Sequence, residues 1–124
     1  MTPHLLVIDD EPMLRRMLSR LLSPSYQVTL AEGSSAALEL IHGGARFDLI
    51  VCDVMMPGGT GIDFLDRLNE RDAEQARRLV FLTSGAIGDT AEQLDRVTNP
   101  VLEKARLPAE LQSDIAGALA ALAA

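Results

Sequence analysis

Three aspartates, a threonine and a lysine stand where short apolar runs of the chain stop. Asp9 and Asp10 follow "HLLVI", Asp53 follows "FDLIVC", Thr83 closes "RLVFLT" and Lys104 follows "PVLE". A carboxylate at the end of a buried strand is costly unless something compensates for it. If these strands are neighbours, three carboxylates converge, and clustered negative charge in a partly desolvated cleft either raises pKa values or draws in a cation. Hard oxygen ligands of this kind suit Mg²⁺ rather than zinc. Each residue alone has a plainer reading: acids at positions 9–11 favour a helix N-terminus, Thr83 could bond its own backbone, and Lys104 could extend into solvent. The five together, each at the end of a strand of one compatible fold, point to a single site.

The elements that must position them follow from periodicity. His4 to Ile8 is a continuous apolar run that reads as a strand buried on both faces. "EPMLRRMLSRLL" then repeats Met13, Leu14, Met17, Leu18, Leu21 and Leu22 at helical spacing, with Pro12 suited to a first turn. "YQVTLA" is a second strand, and a helix capped by Ser34 or Ser35 runs through Ile41 to Gly43 and Gly44. "FDLIVC" leads into a glycine-rich turn and a helix with Ile62, Phe64, Leu65 and Leu68 on one stripe. "RLVFLT" is a fourth strand, "TAEQLDRV" a helix anchored only by Ala91, Leu94 and Val97, and "PVLE" a fifth strand. From Leu107 a last helix turns Leu107, Leu111, Ile115, Leu119 and Leu122 inward. Strand and helix alternate five times, which implies one α/β domain, residues 1–124, with a parallel sheet covered on both faces. Ligands of such sheets bind beyond the carboxyl ends of the strands, where strand order reverses.

Composition narrows the function classes. The 124 residues are 48% hydrophobic and 23% charged, as expected of one globular domain. The apolar runs fall far short of the ~20 residues needed to span a bilayer, and no signal peptide is visible. A net charge of −7 argues against unaided binding to nucleic acid or anionic membrane. The single cysteine, Cys52, excludes an internal disulfide, fits a cytoplasmic location, and reads as a small buried hydrophobe.

"LLVIDDEP", "LIVCDVMMPGGTG" with Pro57 four and Gly61 eight residues after Asp53, "VFLTSG" and "PVLEK" occur in this order across essentially the whole chain. In this the sequence resembles the receiver domain of two-component response regulators. The stretch "TSGAIGDTAEQLDRVTNPVLEK" resembles receivers attached to hybrid histidine kinases. The resemblance implies a doubly wound, flavodoxin-like sheet of order 2-1-3-4-5. It implies that Asp53 accepts a phosphoryl group from a phosphohistidine on a histidine kinase or histidine phosphotransfer domain. Asp10, Asp53 and the backbone carbonyl of Met55 would hold Mg²⁺, with Asp9 acting through water, while Lys104 and Thr83 engage phosphoryl oxygens. The signal would leave through the face of the fourth helix, fifth strand and fifth helix, to a downstream protein or a parent polypeptide. Homodimerisation through that face is left open.

The chain departs from the family at two places. Val101 stands where an aromatic residue is usual, and Ala105 where a proline joined by a cis bond is usual. A cis bond before a non-proline costs about 2.5–4 kcal/mol, so a trans bond, a re-routed loop and a lysine amine displaced from Asp53 are expected. Two other classes compete with a phosphoaccepting module. One is a degenerate receiver used only for docking. The other is a Mg²⁺-dependent phosphatase with an aspartyl nucleophile, whose usual second acid two residues on is here Met55. The leading reading is a phosphoaccepting signalling module with weak self-dephosphorylation, not a turnover enzyme for an external substrate.

Overall fold

A computed structural model describes residues 2–56, 58–85 and 88–123. The elements are β1 (His4–Ile8), α1 (Pro12–Leu22), β2 (Gln27–Ala31), α2 (Ser34–His42), β3 (Leu49–Asp53), β4 (Met55–Met56), β5 (Gly59–Thr60), α3 (Gly61–Arg71), α4 (Ala73–Ala76), β6 (Leu79–Thr83), α5 (Asp89–Arg96), β7 (Val101–Glu103), a 3₁₀ turn (Lys104–Arg106) and α6 (Leu111–Ala123). The main sheet runs β2-β1-β3-β6-β7, all parallel, which is the expected 2-1-3-4-5 once the β4-β5 ribbon is set aside.

Alternation along each central strand sorts side chains to two cores. Leu6, Ile8, Ile50, Cys52, Leu79 and Phe81 pack on one face against α2 and α3. Leu5, Val7, Leu49, Val51, Val80 and Leu82 pack on the other against α1 and α6. Covered on both sides, β3 and β6 are buried along their whole length. This is why they read as unbroken apolar runs rather than alternating ones. The α3 stripe is as expected, with Ile62, Phe64, Leu65 and Leu68 all buried, each burial stabilising by about 1.5–3 kcal/mol. The α5 helix has no buried side chain, and only its Leu94, with Val97 just beyond its end, packs against the core.

Several local expectations are corrected. Gly33, not Ser34 or Ser35, occupies the N-cap of α2, without a side-chain cap bond. Met13 lies on the outer side of α1 and is 71% exposed, because a stripe six residues wide outruns the face that touches the sheet. The last helix starts at Leu111 rather than Leu107. Glu110 N–H bonds the Arg106 carbonyl and Leu111 N–H the Pro108 carbonyl, so residues 107–110 form turns from which Leu107 still reaches the core. The α4 turn and the β4-β5 ribbon were not anticipated. Thr60 and Asp63 form a reciprocal capping box at α3, a pair whose spacing is legible in "TGID". Pro57 lies outside the described residues.

Candidate functional site

The sheet order makes β1 and β3 neighbours, with Ile8 opposite Cys52 as their last registered pair. Asp9 and Asp53 therefore come next to each other at the switch point. Asp53 itself registers with Leu82, and Thr83 with Glu103, the residue before Lys104. Four strands thus deliver the expected residues to one end of the sheet. Asp9, Asp53 and Thr83 are buried, whereas Asp10 is exposed at the mouth.

Carboxylate oxygens of Asp9, Asp10 and Asp53 lie within 4.8 Å of one another. The Lys104 ammonium reaches across them, 3.2 Å from Asp53 Oδ1 and 3.5 Å from Asp9 Oδ2. The displaced amine expected from Ala105 is therefore not found. The backbone does turn away in the 3₁₀ segment, and the cis bond among the described residues is Leu107-Pro108 rather than Lys104-Ala105. A flexible four-carbon stem lets the lysine reach the site from this altered loop.

Asp9 is fixed from two sides. Its Oδ1 accepts from Glu11 N–H at 2.9 Å, and its backbone carbonyl accepts from Arg15 Nη1 at 2.6 Å. Sequence reasoning missed Arg15, whose partner is a backbone carbonyl rather than a side chain. Asp9 Oδ2 is buried and lacks a hydrogen bond among the described residues, since the contact to Lys104 is long for one. An orphaned buried carboxylate oxygen aimed at two more carboxylates fits a hard divalent cation, so Asp9, Asp10 and Asp53 could hold Mg²⁺. Met55 begins the short ribbon two residues after Asp53 and is 56% exposed.

Burial and the neighbouring Asp9 push the Asp53 carboxyl above its ordinary value, and Lys104 and the Met55 N–H only partly offset them. Burial alone would lower the Lys104 ammonium, but Asp53 and Asp9 outweigh it and hold it above its usual value. Burial, with Asp53 and Asp9 adding to it, raises the Cys52 thiol so far that it is inert, as expected of a core hydrophobe. A carboxyl held higher in the folded than in the unfolded chain makes the fold lose stability as pH rises from the ordinary Asp range through the raised value. Asp53→Asn is therefore expected to raise the thermal midpoint of the metal-free protein at neutral pH by a few degrees. The gain should vanish below the ordinary Asp range. Thermal melts across pH check this, and an unchanged or lower midpoint at pH 7 would contradict it.

Thr83 Oγ1 accepts from Gly85 N–H at 3.1 Å, which leaves the hydroxyl proton free to donate. Gly61 lies against the end of β3, its N–H bonding the Val54 carbonyl at 2.7 Å. A Cβ there would meet the Asp53 carbonyl oxygen at 2.5 Å, so the glycine is required by space rather than by φ.

Comparison with known proteins agrees with this geometry. Response regulator Rre1 of Synechocystis is 32% identical over 119 residues, covering 94% of this chain and 51% of that protein. Two-component response regulator ORR3 of rice is 39% identical over 83 residues, covering 66% of this chain and 63% of that protein. The chain thus spans less than two thirds of the length of these curated relatives. The solved chemotaxis protein CheY4 of Vibrio cholerae superposes with a TM-score of 0.82 at 26% identity, covering 95% of this chain and 99% of that one. No helix among the described residues is long and apolar enough to cross a membrane. The model of the response regulator receiver domain matches residues 5–116, from β1 into α6, and the chain belongs to that family.

Proposed function

We propose that the chain is a phosphoaccepting receiver that takes a phosphoryl group from a phosphohistidine onto Asp53. The observation that carries this is the Lys104 ammonium, 3.2 Å from Asp53 Oδ1, inside a cluster of three carboxylates. An oxygen of Asp53 attacks phosphorus, the phosphorus–nitrogen bond of the donor breaks, and the electron pair leaves with the imidazole, which takes a proton. Such transfer is mostly positioning and charge stabilisation. Asp9, Asp10 and Asp53, with the Met55 backbone carbonyl as a further donor, would hold Mg²⁺, whose chemistry here is neutralisation of negative charge on the phosphoryl oxygens. Lys104 pairs with one phosphoryl oxygen in place of its present contact to Asp53. Thr83 donates its free hydroxyl proton to another. Arg15 and the Glu11 N–H keep Asp9 in position throughout.

The donor is a histidine kinase or histidine phosphotransfer domain, and the setting is the cytoplasm. The output runs to a downstream protein or a parent polypeptide, with attachment to a hybrid histidine kinase as the finer placement. The site's intact set of five residues favours this over a docking receiver that no longer accepts phosphate.

Incubation with Mg²⁺ and acetyl phosphate, read by intact mass, is expected to add one phosphoryl group to the wild type and none to Asp53→Asn. Omitting Mg²⁺ should abolish the gain. No gain by folded wild type would overturn the reading in favour of the docking receiver.

A further inference from the structure

At the end of α3 away from Asp53 the domain carries positive charge that its acids leave unanswered. Leu38 and His42 of α2 face Arg67, Glu70 and Arg71 of α3 across a cavity of about 160 Å³. Leu38 and His42 are one turn apart, as are Arg67 and Arg71, so each helix turns one stripe into the space. Among the described residues neither guanidinium has an acidic partner within ion-pair distance, although the chain as a whole carries a net charge of −7. Glu70 is the one acid lining the cavity, against three basic side chains. Asp72, just past α3, is already held by Arg46. Its carboxyl lies below the ordinary value, chiefly through that hydrogen bond, with His42 adding to it. Helix ends account for only part of this charge. Cations in a last turn answer free carbonyls, but at α2 the carbonyls of Glu39, Leu40 and Ile41 already accept from the N–H groups of Gly43, Ala45 and Gly44 respectively. Arg67 stands a full turn before the end of α3.

Size and donor geometry specify the ligand. At about 30 Å³ per water the cavity holds the volume of roughly five waters, too little for a nucleoside and enough for a pair of phosphoryl groups. Planar guanidinium forks match phosphoryl oxygens two bonds at a time. We propose that Arg67, Arg71 and His42 form a binding site for a diphosphate group, presented as free pyrophosphate or at the end of a nucleotide. Leu38 is the one apolar wall, and no Phe, Tyr or Trp among the described residues lines the space, so a base finds nothing to stack on and the diphosphate carries the recognition. The site is separate from the acidic cleft, because α3 starts at Gly61 and its rise to Arg71 spans about 15 Å. A second basic pair, Arg16 and Arg20, lines a cavity of about 390 Å³ with Met13, Met17 and Leu21. That space is wider and chiefly apolar, which makes it the control for charge alone.

The test is a titration of the full chain with pyrophosphate at neutral pH, without Mg²⁺ or phosphodonor, followed by amide NMR shifts. Saturable shifts centred on Leu38, His42, Arg67 and Arg71 are expected. Inorganic phosphate and AMP should bind about tenfold more weakly or worse. ADP equal to pyrophosphate assigns the nucleotide as a source as well, and exclusion of ADP assigns free pyrophosphate alone; either supports the site. Arg67→Gln and Arg71→Gln should each weaken binding about tenfold, and the two together should abolish it. Glu70→Gln should tighten binding about two- to fivefold, whereas Asp66→Asn, the same change in net charge on the same helix, should leave it unchanged. Arg16→Gln combined with Arg20→Gln should also leave it unchanged. Every side chain altered here is exposed, so the fold survives each substitution. Shifts that never saturate, that centre on the acidic cleft or on α1, or that survive the Arg67 and Arg71 double variant overturn the proposal. So does AMP binding as tightly as ADP. Because neither Mg²⁺ nor a phosphodonor is present, the result is independent of whether Asp53 gains mass with acetyl phosphate.

Discussion

Lys104→Met is expected to slow phosphorylation of Asp53 by acetyl phosphate by about 100-fold or more, the usual loss when a prepositioned charge stabiliser is removed. The same change should make Mg²⁺ bind more tightly. The ammonium sits 3.2 Å from one proposed ligand and 3.5 Å from another, so it repels an incoming dication from both. Without metal, the variant leaves buried Asp9 and Asp53 facing each other unpaired, and it should lose about 1–3 kcal/mol of stability. Added Mg²⁺ should restore most of that. Timed intact-mass measurements, calorimetric Mg²⁺ titration and thermal melts read the three effects separately. A wild-type phosphorylation rate in the variant would remove Lys104 from the chemistry altogether.

Gly61→Ala is expected to cost about 3 kcal/mol, at the upper end of overpacking losses, or roughly 10–15 °C in thermal midpoint. The new methyl group would stand 2.5 Å from the Asp53 carbonyl oxygen and 3.2 Å from both Cys52 Sγ and the Phe81 ring. None of these can easily yield, since the first is main chain in the central strand and the others are fully buried. The displacement must fall on β3, so the variant should also accept phosphate poorly at Asp53 at temperatures where it is folded. Gly33→Ala, where a Cβ meets nothing within 4 Å, is the matched control and should cost far less. Equal losses at the two positions would mean that backbone freedom, not space, keeps Gly61.

Much of this was legible in the residue order because each strand is covered on both faces. Continuous runs such as Leu49 to Cys52 have one stable place in an α/β domain, and the residue that ends each run is then carried to the same edge. That the five candidate residues share one end of the sheet could therefore be expected before any distance was known. What resisted reading was set by contacts that spacing does not encode. The reach of Lys104 depends on side-chain flexibility rather than on the path of the loop after it. Arg15 serves Asp9 through a backbone carbonyl, which leaves no mark on residue type. The ribbon of Met55–Met56 with Gly59–Thr60 and the short α4 are too brief for periodicity to register.

Asp53 and Lys104 are tethered with unequal security. Asp53 ends a five-residue strand that is buried throughout and paired on both sides. Lys104 follows a three-residue strand at the sheet's edge in which no residue is buried. Local opening costs least where buried contacts are fewest, so the edge should fray many times for each opening of the centre. The carboxylate is then held by the core, whereas the cation depends on the sheet's edge. Amide exchange should accordingly be faster along Val101–Glu103 than along Leu49–Asp53, so the cleft has one wall fixed by the core and one that yields with the sheet's edge.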